Sequence, residues 1–437
     1  MIIRMIGTLQ AVKGRRPGPV FFDLPTTIAW SSLFFLSLAV CLVFVFSYPP
    51  PDVKYDAAEY LALSRSVAAG TGFSQDGGVT PAVYRPPLFS LLLGGWFHLT
   101  GTSSVLSVAV FQSLLHAFGV LAAFALFLQI SLSLRWAIGG ALFLAVNPLL
   151  VTRVVFVYQE TTLVLFTTLA VLASVRLVRR SSGFRAGLAG AAWGACTLAK
   201  IVCWFAPFLL LAMRFLPSRL RWDWRRKEAA LLLLLFVVVI APWTVRNYVR
   251  FHRFIPVNGQ GEGILEWNVS HATIAGEPPG DRYVAEVYGK NLSERERKDL
   301  LWRYIGDHPR YFLVDRVIRN IVHFAAPPRD WWIARGYFRP GEHRTSFWIL
   351  AGLFHIPLYL FLLYRTWQWG AGKATPAYGV FLLFYWFYWA EHALVWGDPR
   401  FGLAVYPLLV VMVLPLRWGE EQETGRLVTE ERERGPG

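Results

Sequence analysis

The feature that most limits what this chain can fold into is the run 28–48, which carries no charged side chain and is long enough to cross a bilayer. Similar apolar stretches recur at 103–130, 135–152, 158–178, 184–200, 202–216, 228–245, 346–365, 376–395 and 399–416. Read with windows of roughly 19 residues, they make about ten candidate spans. Inside hydrocarbon every backbone N–H and C=O must be bonded within the protein, and runs of this length meet that demand as helices. The expectation is an all-α polytopic membrane protein. Composition agrees, because only 16% of the 437 residues are charged against about 25% in ordinary soluble domains.

The net charge of +15 would suit nucleic acid in a soluble protein. In a membrane chain basic residues instead hold cytoplasmic loops in place, and a phosphate-bearing lipid ligand is a second use for them, so no nucleic-acid partner is expected. Cys41, Cys196 and Cys203 all fall in apolar runs and read as packed thiols, neither disulfides nor metal ligands.

Residues 1–27 are basic, with Arg4, Lys13, Arg15 and Arg16, and are expected in the cytoplasm. The run 28–48 ends in Phe46-Ser47-Tyr48-Pro49-Pro50-Pro51, without the small residues of a cleavage site, so it reads as a retained first helix. The stretch Pro86–Leu99 is apolar but makes only one short helix. If it does not cross, then Arg135, Arg176 to Arg185, Arg214 to Lys227, and Arg365 with Lys373 all fall in cytoplasmic loops. It is therefore read as a helix lying in the interface or re-entering the bilayer, with both termini inside.

Under that topology two extracytoplasmic segments are large: 49–102, a candidate catalytic loop with juxtamembrane helices, and 246–345. Between them lies a bundle at 103–245, and C-terminal helices follow at 346–416. The second loop has helical patterning from Ser293 to Phe324, interrupted at Asp307-His308-Pro309, and two Asn-x-Ser sequons at Asn268 and Asn291. The tail 417–437 is charged and is expected to be a disordered cytoplasmic segment. Trp331-Trp332 and the aromatics from Tyr385 to Trp389 read as interface belts and helix packing.

The same topology gathers polar residues at the outer face: Asp56, Glu59, Tyr60, Tyr84 and Arg85 in the first loop, Glu160 and Lys200 at span ends, Arg246 after the span 228–245, and Glu391, His392, Asp398 and Arg400 in the last outer loop. Charges this close to hydrocarbon are costly and are usually functional or paired. A carboxylate can take a proton from an acceptor, while Arg and Lys can hold a phosphate and the charge that develops on it. Each also has a plainer use. Asp56 and Glu59 can solvate one face of a helix, Glu160 and Lys200 can snorkel or pair, Arg246 can anchor a span, and His392 can be a packing residue. No His, Cys and Asp set has metal-ligand spacing.

Several stretches, in order, resemble the GT-C glycosyltransferases, nearest in pattern to the protein O-mannosyltransferase and aminoarabinose–lipid A transferase branch. Asp56 and Tyr60 fit its D-x-x-x-Y motif, Gly70-Thr71-Gly72-Phe73 follows, and Arg85-Pro86-Pro87-Leu88 matches its R/K-P-P-L motif. Ala145-Val146-Asn147-Pro148 with Glu160, Pro242-Trp243 with Arg246-Asn247, Tyr304-Ile305 with His308-Pro309, and Arg400-Phe401 with Pro407 match later motifs. One departure is that position 57 is Ala, where many members have a second acid, and the neighbouring acid here is Glu59.

The resemblance implies a plasma-membrane, multi-pass transferase with a polyprenyl-phosphate sugar donor and an active site on the extracytoplasmic side. Asp56 would act as general base, with inversion at the anomeric carbon. Lys200, Arg85, Arg246 and Arg400 would hold the phosphate, Tyr60 would support the loop or the sugar, and Glu160 would touch acceptor or sugar. It implies no metal and no cofactor besides the donor, and leaves the acceptor open among protein, lipid and glycan. A transporter or flippase of a lipid-linked or anionic solute is the competing reading. It would place charges near the midplane and broken helices in matched halves, whereas here the charges gather at one face. A non-catalytic envelope scaffold is a third reading, in which Asp56→Asn would be silent.

Overall fold

The computed structural model describes residues 24–48, 52–215, 224–259, 292–326, 344–373, 376–395 and 397–416. The basic N-terminal residues, the sequon asparagines Asn268 and Asn291, Trp331-Trp332 and the tail lie outside them. The longer helices are α1 (Leu24–Ser47), α2 (Asp56–Ala68), α3 (Pro87–Thr100), α4 (Val105–Ile130), α5 (Leu134–Ala145), α6 (Pro148–Val151), α7 (Glu160–Arg179), α8 (Gly183–Ala199), α9 (Ala206–Ala212), α10 (Arg226–Phe251), α11 (Glu294–Asp307), α12 (Arg316–Ala325), α13 (Arg344–Gly370), α14 (Pro376–Leu394) and α15 (Tyr406–Val413). The α4 helix is central, packing against α1, α5 and α7, while α8 lies between α7 and α10.

Five helices among the described residues are long and apolar enough to cross a membrane: α1, α4, α7, α10 and the part of α13 from Ile349 to Gly370. A sixth crossing is possible if α5 and the segment Pro148–Val155, bent by 47°, count as one. The chain is thus a multi-pass integral membrane protein, and the described residues show five or six of the about ten expected spans by length and hydropathy. The expected crossings 184–200, 202–216 and 399–416 fall on shorter helices, α8, Ile201–Phe215 and Phe401–Val413. The crossing 376–395 falls on α14, where Tyr378, Tyr385, Trp386, Tyr388 and Trp389 dilute the aliphatic content. The crossing 135–152 is broken because Asn147 caps a new helix, accepting the Leu149 N–H at 2.9 Å, and Pro148 has no N–H to continue the old one. The α10 helix runs past the expected end at 245 to Phe251.

The first loop holds two helices, as expected. Ala57, Tyr60 and Leu61 of α2 bury against Phe89, Leu93 and Phe97 of α3, and both rest on Val108 and Phe111 of α4. Gly94 permits the close crossing: a Cβ there would lie 2.6 Å from Val67 Cγ1 and 2.9 Å from the Ser64 carbonyl. Between the two helices Asp76 closes a turn, accepting from the Ser74 hydroxyl and, at 2.9 Å, from the Thr80 N–H. These bonds hold its carboxyl down at about 2.

The end of α10 fastens this loop. Trp243 Nε1 donates to the Val257 carbonyl at 2.7 Å, and Asn247 Nδ2 to those of Ile255 and Val257 at 2.9 and 3.2 Å. The strand of chain so held pairs with the first loop, the Gly259 N–H donating to Val83 at 2.9 Å and Asn258 Nδ2 to Tyr84 at 3.2 Å. The helical pattern of Ser293 to Phe324 also holds, with α11 ending at Asp307 and helix resuming at Pro309. Its second part, α12, supports the last loop, since Arg316 and Asn320 donate to the carbonyls of Val395 and Ala393, each at 3.0 Å. Gly397 passes so close that a Cβ would meet the Asn320 carbonyl at 2.0 Å.

Candidate active site

Asp56 is the first residue of α2, and Tyr55 before it has φ +52° and ψ −128°. A bulky residue with positive φ is strained, and such strain persists where surrounding contacts over-determine it. The carboxylate of the next residue, Asp56, is held by Arg85. Its Nη2 lies 2.6 Å from Asp56 Oδ1 and its Nε 2.6 Å from Glu59 Oε2, so one planar guanidinium ties together two carboxylates one helical turn apart. The rings of Tyr60 and Tyr84 lie 5.4 and 5.3 Å from it. Burial would lower the Arg85 pKa, but Tyr60, Asp56 and Glu59 outweigh it and raise the value further.

The second oxygen of Asp56 faces Arg400 from the opposite end of the sequence. Arg400 Nη2 is 3.6 Å from Asp56 Oδ2, and its Nε is 3.3 Å from Asp398 Oδ2 and 3.8 Å from Glu160 Oε1. The Arg400 N–H also donates to Asp398 Oδ1 at 2.9 Å, and its guanidinium sits 5.0 Å above the Tyr158 ring. Burial alone would raise the Asp398 pKa, and Arg400 overrides it to hold the carboxyl below its ordinary range. Glu160, at the start of α7, is buried, and its Oε2 has no hydrogen-bond partner among the described residues. Lys200, which caps the end of α8, places Nζ 2.9 Å from the ring centre of Phe401, shielded from solvent and without a hydrogen-bond acceptor among the described residues.

The structure therefore gathers Asp56, Glu59, Tyr60, Tyr84, Arg85, Glu160, Lys200 and Arg400 around one cluster. The other two expected site residues are used differently. Arg246 donates to the Ala82 carbonyl at 2.7 Å and the Phe73 carbonyl at 3.2 Å, so it clamps the first loop. His392 donates from Nδ1 to the Tyr388 carbonyl at 2.8 Å and packs its ring among Tyr388, Phe324 and Phe401. Among the described residues no group of three or more His, Cys, Asp or Glu could hold a metal ion. Sequence reasoning passed over Arg153, a buried arginine that is an electrostatic neighbour of Glu160, Asp398 and Arg400. A single charge among apolar residues, Val151-Thr152-Arg153-Val154-Val155, was the available signal.

Residues 84–245 match the family described as dolichyl-phosphate-mannose-protein mannosyltransferase, PMT_2. The motif resemblance is real across that stretch. It contains Arg85, Glu160 and Lys200, whereas Asp56 and Arg400 lie on either side of it. The fold is similar to the archaeal oligosaccharyltransferase AglB from Archaeoglobus fulgidus, solved with an inhibitory peptide and a dolichol-phosphate, at TM-score 0.52 and 13% identity. That match covers 90% of this chain and 51% of AglB, so the chain spans about half the length of that protein. ArnT from Cupriavidus metallidurans, solved bound to undecaprenyl phosphate, matches at TM-score 0.45 and 15% identity over 88% of this chain and 78% of its own. No curated protein matches the chain in sequence.

Proposed function

We propose that this protein is a membrane glycosyltransferase that moves a sugar from a polyprenyl-phosphate donor to an acceptor on the extracytoplasmic side of the plasma membrane. The observation that carries the reading is the pairing of Asp56 with two arginines beside Lys200, whose shielded Nζ has no hydrogen-bond acceptor among the described residues, in a chain whose residues 84–245 match the PMT_2 family. The acceptor oxygen attacks the anomeric carbon while its proton passes to a carboxylate oxygen of Asp56. The carbon–oxygen bond to the phosphate breaks, its electron pair stays on the phosphate, and configuration at carbon inverts. Arg400 and Lys200 stabilise the leaving phosphate; Arg85 holds Asp56 and Glu59 in register; Tyr60 and Tyr84 flank Arg85; Glu160 offers its free oxygen to a sugar or acceptor hydroxyl. Arg246 acts by fixing the loop.

The test is a transfer assay on membranes with a panel of polyprenyl-phosphate sugars. Release or transfer of sugar by the wild type supports the reading, and absence of turnover with every donor speaks against it. Lys200→Ala should weaken donor binding by about tenfold or more, since a charge-assisted hydrogen bond contributes about 1.5–3 kcal/mol. Unchanged affinity for polyprenyl phosphate would remove Lys200 from the phosphate site.

The orientation follows from charge. Glu160 begins α7 on the side of the cluster, and Arg176 and Arg179 end it on the other, next to Arg180 and Arg185. Single cysteines introduced at 181 and 182, in a background without the native three, should be blocked only by reagents that reach the cytoplasm. Labelling from outside intact cells would invert the topology and with it the side of the site.

A further inference from the structure

The α12 helix is built inside out. Its buried face carries Arg316 and Asn320, 1% and 2% exposed, with Phe324 one turn further on. Its outward face carries Ile318 and Val322, 51% and 56% exposed, and Val314 stands exposed in the turn before them. A helix that faces water turns its apolar stripe inward and its polar residues out. Here the polar pair is inward because it holds the last loop, through the carbonyls of Val395 and Ala393. That use does not explain why aliphatic side chains face out. Residues four apart share a helix face, so Val314, Ile318 and Val322 form one stripe rather than scattered exposed aliphatics.

The α13 helix marks the depth at which this stripe lies. His355 Nε2 donates to the carbonyl of Ala325, the last residue of α12, at 2.8 Å. The part of α13 long and apolar enough to cross a membrane begins at Ile349, and the helix rises about 9 Å from there to His355. The end of α12 is therefore level with the second turn of that span. Ile349, Leu353 and Ile356 on the same turns are exposed too, so at this level the exterior of the bundle is apolar. With 10 residues, α12 is too short to cross hydrocarbon about 30 Å thick. Its sequence, RVIRNIVHFA, has no acid. Arg319 and His323 follow Ile318 and Val322 and border the stripe, as headgroup-seeking side chains do at a membrane surface.

We infer that α12 is seated in the leaflet next to the charged cluster, with Val314, Ile318 and Val322 against acyl chains. The loop segment from Ala393 to Val395 is thus fastened to the inner side of a helix whose outer side is in lipid. The occupant is lipid rather than a second protein because the depth and the bordering cations both match a bilayer boundary. The inference needs no transfer chemistry and stands apart from it.

The experiment is electron paramagnetic resonance on the full chain in nanodiscs, with a nitroxide attached at Ile318→Cys or at Val322→Cys. Both positions are exposed, so neither substitution touches the bonds to Ala393 and Val395. Cys41, Cys196 and Cys203 are buried and stay in place, and the unsubstituted chain gives the background. A label at Leu353→Cys, on α13, is the lipid-facing reference. Molecular oxygen concentrates in hydrocarbon, whereas a neutral nickel chelate stays in water. The expected result is that oxygen relaxes both α12 labels several-fold more than the nickel chelate does, as at position 353. Relaxation mainly by the nickel chelate places the stripe in water and overturns the inference. Protection from both reagents means that protein covers it, a second copy or another segment of this chain, and overturns the inference as well.

Discussion

Asp56→Asn is expected to abolish sugar transfer while leaving the protein inserted, folded and able to bind polyprenyl phosphate. The substitution keeps the size of the side chain and an acceptor oxygen at the position now 2.6 Å from Arg85 Nη2, so the α2–α3 pairing built on Phe89, Leu93 and Gly94 has no reason to open. What it removes is the basic oxygen, and general-base catalysis accounts for about 10²–10⁴-fold in rate. The loss should appear in kcat with little change in KM for the donor, because the interaction removed belongs to the transition state. Full transfer by stably inserted Asp56→Asn would take the base role away from this residue. A silent variant in a protein with no measurable turnover would favour the scaffold reading instead.

Much of this site was legible because the membrane narrows what polar residues can be doing. Asp56, Arg85, Glu160, Lys200 and Arg400 stood out as charges at the ends of apolar runs, and the structure brings all five together. The connections among them were not legible. That Arg85 spans Asp56 and Glu59 depends on how α2 crosses α3, and that crossing is set by Gly94 fitting over Val67, a contact with no local sequence signature. The setting of Arg246 was hidden for the same reason: its partners are the carbonyls of Phe73 and Ala82, backbone groups that any sequence would supply. Among the described residues fewer helices than apolar runs have the length and hydropathy of a span, for two physical reasons. Pro148 interrupts one run, and aromatic-rich or short helices such as α14 and α8 do not meet the length and hydropathy of a full span.

The other large effect expected is at Arg85. Arg85→Ala leaves Asp56 and Glu59 one helical turn apart with no shared cation, two like charges on one face where before there was a bridge. Breaking a fully buried pair costs about 3–5 kcal/mol, but both carboxylates here are 33% exposed and water screens them, which brings the expected cost nearer about 1–2 kcal/mol. The two tyrosine contacts add about 0.5–1 kcal/mol each when their cation is lost. Fold stability should therefore fall measurably without collapse, and activity should fall much further, because the guanidinium that orients the Asp56 carboxylate is gone. Arg85→Lys separates charge from geometry. An ammonium is a compact charge on a flexible stem and lacks the planar fork that reaches Asp56 and Glu59 at once. Arg85→Lys should thus recover most of the stability but stay at least about tenfold below wild type in kcat, as a misplaced base does. Wild-type turnover in Arg85→Lys would show that the site needs only a positive charge there, and the bridge across α2 would then be a feature of the fold rather than of the chemistry.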